Sequence, residues 1–317
     1  MKKRILSCVL SAALLLGLTP WSALATDDPL DDQTSQTELQ TNFQFSPQNP
    51  DIYADPQPNI TVPENTLQAA ALPMPVALTA GPVTVTDKDS LNAAITDGAT
   101  IQLGDNITTT STITIPEGAS VTLDLKGYTL TADFSPKNNG SLLEGNAIQV
   151  ESGATLTLQD SGGNGKITHG SGQIGRGVYV ENGTFTMTGG SIAKNYIGGN
   201  FGGDGAGVYI HDGTFTMTGG SIAENRIADN VGGSGSGIYV ANGEFNMSGG
   251  SITGNTITAV DTNGTTFGGG YGGGVYVASK ATFNMSGGTI SGNQVNYDGG
   301  GVRLYGTFTM TGGTIEN

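Results

Sequence analysis

Apolar and polar residues alternate with a period of two in short runs along the second half of the chain. In the run GVYV, Val178 and Val180 fall on one side of a predicted strand and Tyr179 on the other. In the next run, TFTMT, Phe185 and Met187 share one side and threonines occupy the other. A third run, GGSI, ends in an isoleucine, and an asparagine follows three residues later. Each unit therefore predicts three short strands.

The same unit returns several times, with glycine-bearing turns between its strands. A sequence unit of this length is typical of a solenoid, in which each coil buries its apolar side against its neighbours. In the turns Asn182-Gly183 and Asp212-Gly213, we expect the glycine to supply a positive φ. Copies of the unit begin at Gly175, Gly205, Gly235, Gly273 and Gly299.

Stacking such coils predicts an all-β fold, a right-handed parallel β-helix solenoid. Three parallel sheets would place equivalent residues about 4.8 Å apart in columns. The predicted interior columns are Phe185, Phe215, Phe245, Phe283, Phe308; Met187, Met217, Met247, Met285, Met310; and Ile192, Ile222, Ile252, Ile290, Ile315.

The residues before the repeats divide into three parts. Residues 1–25 have a basic start, an apolar run and an A-x-A site, which predicts a secretory signal peptide that also removes the single cysteine, Cys8. Residues 26–80 are acidic and rich in proline, which predicts a disordered linker. Residues 81–145 predict a capping helix over Asp87 to Asp97, begun by Asp89 or Ser90, and irregular first coils. Regular repeats fill 146–317.

Charge and composition exclude several classes of protein. The formal net charge is -15 at pH 7, so the chain repels nucleic acid and anionic membrane surfaces, and no nucleic-acid partner is expected. Its 52 glycines lack the triplet period of collagen. No apolar run after the signal is long enough to span a bilayer. We expect a secreted or cell-surface bacterial protein.

The motif GG-S/T-I-x-x-N followed by GG-x-V-Y-V resembles the repeats of right-handed parallel β-helices in bacterial surface proteins. It is similar to adhesin-like and polymorphic outer-membrane families within the pectin-lyase-like superfamily, over residues 82 to 317. The resemblance implies the fold more specifically than the activity, because that superfamily contains lyases, hydrolases and stalks.

Two positions recur from coil to coil and supply the candidate functional residues: an asparagine in a turn and a tyrosine that faces outward. The asparagines predict a structural ladder of stacked amides, with ligand binding as the alternative. The tyrosines predict either a self-packed surface stack or an aromatic row that contacts glycans. The asparagine series is Asn195, Asn225, Asn255, Asn293 and Asn317, and the tyrosine series is Tyr179, Tyr209, Tyr239 and Tyr276.

Catalytic and metal-binding patterns are weak. The segment 261–264 echoes a calcium loop but lacks the remaining ligands, so no metal or cofactor is expected. Lys194 and Arg226 are placed at one shared turn position, and His169 and His211 are interpreted as isolated, solvated residues. The outward threonines are interrupted, which argues against an ice-binding array.

These patterns favour an exported, non-enzymatic surface module, adhesin-like or structural, with a glycan or host-surface ligand as partner. The alternative is a polysaccharide lyase or glycoside hydrolase. The chain stops at a ladder asparagine, halfway through a coil, which predicts that further coils follow it in a longer protein. Enzymatic activity in such coils stays open.

Overall fold

A computed structural model describes residues 81–134, 137–138, 141–142, 145–199, 203–229, 233–258 and 270–316. These residues form stacked parallel strands and one helix, which confirms the predicted right-handed parallel β-helix. The predicted signal peptide, the predicted linker and the 261–264 segment lie outside the described residues. No described helix has the length and apolar character needed to cross a membrane.

The first part of the solenoid contains the helix and eleven strands. In chain order these elements are β1 (Val83–Val85), α1 (Lys88–Ala94), β2 (Thr100–Leu103), β3 (Ile107–Thr109), β4 (Ile113–Ile115), β5 (Ser120–Asp124), β6 (Thr129–Ala132), β7 (Lys137–Asn138), β8 (Ser141–Leu142), β9 (Gly145–Val150), β10 (Thr155–Gln159) and β11 (Lys166–His169).

The regular repeats supply the remaining strands. They are β12 (Gly175–Val180), β13 (Thr184–Met187), β14 (Ser191–Ala193), β15 (Tyr196–Gly199), β16 (Val208–Ile210), β17 (Thr214–Met217), β18 (Ser221–Ala223), β19 (Arg226–Asp229), β20 (Ile238–Val240), β21 (Glu244–Met247), β22 (Ser251–Thr253), β23 (Thr256–Ile257), β24 (Val275–Val277), β25 (Thr282–Ser291), β26 (Gln294–Val295), β27 (Val302–Leu304) and β28 (Thr307–Glu316).

Each strand pairs with its counterpart in the neighbouring coil. The GVYV-type strands form a seven-stranded sheet in the order β27-β24-β20-β16-β12-β9-β4. The TFTM-type and SIA-type strands form two stacks that merge at β25, which runs through both, and β28 pairs with β25. Only β7 and β8 pair in antiparallel fashion among the described strands.

A fourth strand per coil corrects the expected three. None of the three predicted strands follows the ladder asparagine, but β15, β19, β23 and β26 form a four-stranded sheet there. Ile197, Ile227 and Ile257 are buried in it beside Ala206. An N-x-I pattern after each asparagine therefore carried a strand signal.

The interior columns follow the predicted register. Phe185 pairs with Phe215, which pairs with Phe245, and these rings are fully buried with centroids 4.7 and 5.0 Å apart. Burying each such side chain contributes about 1.5 to 3 kcal/mol. The last coil departs from the prediction, because Met310 and Ile315 are 43% and 36% exposed. No described strand pairs with β28 on its far side.

The helix spans Lys88–Ala94, within the predicted range of Asp87 to Asp97, but its N-cap differs from the prediction. Asp87, not Asp89 or Ser90, is the N-cap, and its carboxylate accepts a hydrogen bond from the Ser90 backbone N–H at 2.8 Å. The Ser90 hydroxyl accepts in turn from the Asp87 N–H, which completes a capping box. Leu91 is buried, so the helix packs against the first strands through this side chain.

The turn glycines are required for a different reason from the one predicted. Gly183, Gly213 and Gly243 are not among the described residues with positive φ. A Cβ at Gly213 would instead collide with the carbonyl oxygen of Gly183 in the preceding coil. Positive φ occurs at the second glycine of the GG pair, for example Gly220 at 79°.

We expect Gly213→Ala to lower the free energy of unfolding by about 3 kcal/mol, because two backbones must separate to admit the methyl group. The matched control is Gly292→Ala, at φ 61° with open space around it, where strain costs about 1 kcal/mol. Urea unfolding followed by circular dichroism measures both. Equal losses in the two variants would contradict the proposed close approach.

Candidate functional site

The tyrosine row lies on the outer face of the seven-stranded sheet. Tyr179, Tyr209, Tyr239 and Tyr276 occupy the middle of β12, β16, β20 and β24 and pair in exact sequence from coil to coil. The flanking valines and isoleucines of these strands are buried, so the alternation turns every tyrosine outward. Gln149 precedes the row and Arg303 follows it.

The four rings stack on one another. Their centroids lie 5.4, 5.1 and 4.9 Å apart along the row, with interplanar angles of 16°, 11° and 5°. Each side chain is only partly exposed. Because neighbouring rings cover each other's faces, the ring edges and hydroxyl groups are the parts that can meet a ligand.

Two arginines flank the row. Arg176 donates a hydrogen bond from Nε to the Asp204 carbonyl oxygen at 2.8 Å, and its guanidinium lies 4.9 Å from the centre of the Tyr209 ring. At the other end, Arg303 donates to the Tyr305 hydroxyl at 2.9 Å and to Asp298 at 3.2 Å. The repeat spacing gives Arg303 the tyrosine position of the last coil, but it does not indicate the contact of Arg176, whose place the following coils fill with alanine, serine or glycine.

Burial determines the ionisation of the row. It raises the pKa of Tyr179, Tyr239 and Tyr276 above the ordinary value of 10.0, so these phenols stay neutral hydrogen-bond donors at physiological pH. Burial also raises the pKa of Asp204, against the opposing effects of the Ser234 backbone N–H and the Arg176 charge. The row thus offers one uncharged hydroxyl per coil.

The asparagine column runs through the turn between the SIA-type strand and the fourth strand. Asn195 Nδ2 and the Asn195 backbone N–H both donate to Asn225 Oδ1, at 2.9 and 3.0 Å. Asn225 repeats the arrangement toward Asn255, and Asn255 toward Asn293. All four side chains are buried, and each Nδ2 also contacts a backbone carbonyl of an earlier coil. Asn317 lies outside the described residues.

His169 is buried, which corrects its interpretation as a solvated residue. It is 7% exposed, and its Nδ1 lies 2.8 Å from Asn195 Oδ1, at the start of the asparagine column. An amide oxygen only accepts, so Nδ1 carries the proton. Burial lowers the pKa of His169 below 6.5, while the hydrogen bond to Asn195 acts in the opposite direction.

The other charged residues are also distributed differently from the prediction. Lys194 and Arg226 do not share a position: Arg226 pairs with Tyr196, and Lys194 contacts Glu224 at 3.6 Å. His211 is exposed and lies 3.6 Å from Asp212. Among the described residues, no group of three or more histidine, aspartate, glutamate or cysteine side chains could hold a metal ion.

We expect the stability of the folded chain to fall as the pH drops from about 7.5 to about 5.5. Unfolded His169 takes up a proton near pH 6.5, whereas the buried imidazole resists it, so acid favours the unfolded state by up to about 1.4 kcal/mol per pH unit. Above pH 6.5 both states are neutral and this contribution to stability is fully present. Thermal melts at each pH measure the effect.

His169→Gln should flatten this part of the profile, since glutamine keeps a donor but does not titrate. His211→Gln is the matched control, because it removes the chain's other histidine from an exposed site. A His169→Gln profile as steep as that of the unchanged chain would show that another group titrates here.

Comparison with known proteins identifies no family. No family model matches the chain, and no curated protein matches it. A solved structure described as "L. reuteri 53608 SRRP" aligns with a TM-score of 0.20 and 14% sequence identity, and the alignment covers 74% of this chain and 99% of that one. The parallel pairing of the strands, and not this likeness, establishes the fold.

Proposed function

We propose that the chain is an exported, non-enzymatic β-helix module, adhesin-like or structural, that contacts glycans at a bacterial cell surface or in the surrounding medium. The outward tyrosine row carries this proposal: it repeats one neutral hydroxyl and one ring edge per coil on a regular sheet. Export rests on the signal-peptide pattern of residues 1–25.

The physical basis is a match between the row and a hydroxyl-rich ligand. Sugars present many hydroxyl groups, which pair with phenolic hydroxyls. Stacking within the row holds the rings in one orientation, so little side-chain entropy remains to be lost on binding. A rigid row of weak contacts gains affinity when several act together on one chain of sugars.

Removal of two hydroxyls from the centre of the row tests this proposal. Tyr209→Phe with Tyr239→Phe keeps the stacked rings but removes two donors, and we expect about tenfold weaker retention on a glycan array, at about 0.5 to 1.5 kcal/mol per hydrogen bond. Tyr209→Ala with Tyr239→Ala should abolish retention. The control is Tyr128→Phe with Tyr297→Phe, which lie outside the row.

Three results would contradict the proposal. Undiminished retention of the double phenylalanine and double alanine variants would remove the row from the binding site. Release of reducing or unsaturated ends from acidic or neutral polysaccharides, with or without calcium, would favour the lyase or hydrolase instead. A stable chain that retains no glycan at all would leave a purely structural stalk.

A further inference from the structure

A second surface of the solenoid gathers much of its positive charge. An open groove of about 780 Å³ lies where the SIA-type strands meet the fourth strands, on a different sheet from the tyrosine row. Lys166, Lys194 and Arg226 all line it, although the whole chain holds only 12 lysines and arginines against 27 acids. Two acids lie close to this lining: Glu224 pairs with Lys194, and Asp133 accepts a hydrogen bond from Gln173.

The three cations belong to three successive coils. Lys166 pairs with Ser191 of the next coil, and Lys194 follows Ser191 by three residues in that same coil. Arg226 pairs with Tyr196 and so belongs to the coil after it. Relative to Lys166, the other two cations are displaced along their coils by three and five residues, so the three charges cross the groove diagonally, one from each coil.

Lys194 occupies a backbone position that is unfavourable for a lysine. Its φ is 59°, and the equivalent residues of the later coils are Glu224 at 53°, Gly254 at 64° and Gly292 at 61°. A side chain held in this left-handed region is often associated with function, since glycine would be free of strain there. Its contact with Glu224 joins two largely exposed side chains, so an anionic ligand can compete with it.

The remaining lining is suited to hydroxyl groups. Asn106, Thr129, Thr131, Thr168 and Gln173 line the groove with amides and hydroxyls, and the Arg226 guanidinium lies 5.8 Å from the centre of the Tyr196 ring. Large aliphatic side chains, which an apolar peptide would need, are not among the lining residues. The groove therefore combines one cation from each of three successive coils, neutral hydrogen-bonding groups and one aromatic ring.

We propose that this groove binds a linear saccharide that carries carboxylates or sulfates on several of its sugars. Each anionic group meets the cation of one coil, and the sugar hydroxyls meet the threonine and amide groups between them. Charge-assisted hydrogen bonds supply most of the selectivity over neutral sugars. The proposal is independent of the tyrosine row, because the two sites lie on different sheets.

The test uses the purified full chain and four probes measured by calorimetry at several salt concentrations: an oligogalacturonate, a heparin-derived oligosaccharide, a neutral oligosaccharide of equal length and a single-stranded oligonucleotide of equal charge. We expect at least one anionic saccharide to bind with an affinity that falls as salt rises, and the neutral one not to bind. Comparison of the first two probes shows whether the groove prefers carboxylate or sulfate groups.

The groove variant is Lys166→Gln, Lys194→Gln and Arg226→Gln, and we expect it to weaken saccharide binding by about tenfold or more. The matched control, Lys88→Gln, Lys126→Gln and Lys280→Gln, makes the same change in net charge at sites outside the groove. It should stay within about twofold of the unchanged chain. Thermal melts verify that both variants remain folded.

Several outcomes would overturn the proposal. Equal weakening in the groove and control variants would mean that binding follows net charge and not this groove. Oligonucleotide binding as tight as saccharide binding, lost in the groove variant, would assign the groove to another class of polymer. No binding of either anionic saccharide would refute it directly. Tyr209→Phe with Tyr239→Phe should leave anionic binding unchanged, which separates this site from the row.

Discussion

Parallel hydrogen bonding between successive coils, held in one register, is the constraint on which the rest of this structure depends. The TFTM-type strands pair without slippage from β10 through β13, β17 and β21 to β25, so each residue lies above its equivalent. A shift of one residue would turn every phenylalanine outward. The buried rings, the amide column and the outer tyrosines all inherit their alignment from this register.

The same register stacks aromatic side chains both inside and outside the solenoid, on strands of two different sheets. Inside, phenylalanine rings stack at 4.7 to 5.0 Å without contact with water. Outside, tyrosine rings stack at 4.9 to 5.4 Å and stay partly exposed. Aromatic stacking stabilises both columns, and the outer column is the one that a ligand can reach.

Much of the fold could be predicted from the sequence, because period-two alternation and repeated units depend only on neighbouring coils. The columns of Phe185 and Ile192 follow from spacing alone. The fourth strand was missed because two to four residues around Ile197 alternate too briefly to be recognised as a strand. Burial of His169 was also missed, since its partner Asn195 belongs to the next coil and the sequence contains no second histidine in that column.

The site could be predicted only in part, for a related reason. Repetition marked the tyrosines and asparagines, whereas Arg176 and Lys166 each occur once and act through geometry across coils. The turn glycines were recognised but assigned to backbone conformation, although Gly213 is needed because of the carbonyl oxygen of the coil below. Contacts along the solenoid axis leave little trace in a single unit of sequence.

The amide column has a direction, and that direction bears on how such a chain can change in length. The side-chain amide of each asparagine from Asn195 to Asn255 donates to the asparagine of the following coil, and its oxygen accepts from the residue that precedes it in the column. If a coil were duplicated between two of these asparagines, its own asparagine would accept a hydrogen bond from the one before it and donate to the one after it. The amide column therefore tolerates growth by gene duplication there. Growth on the other side of Asn195 would first have to displace the imidazole that ends the series.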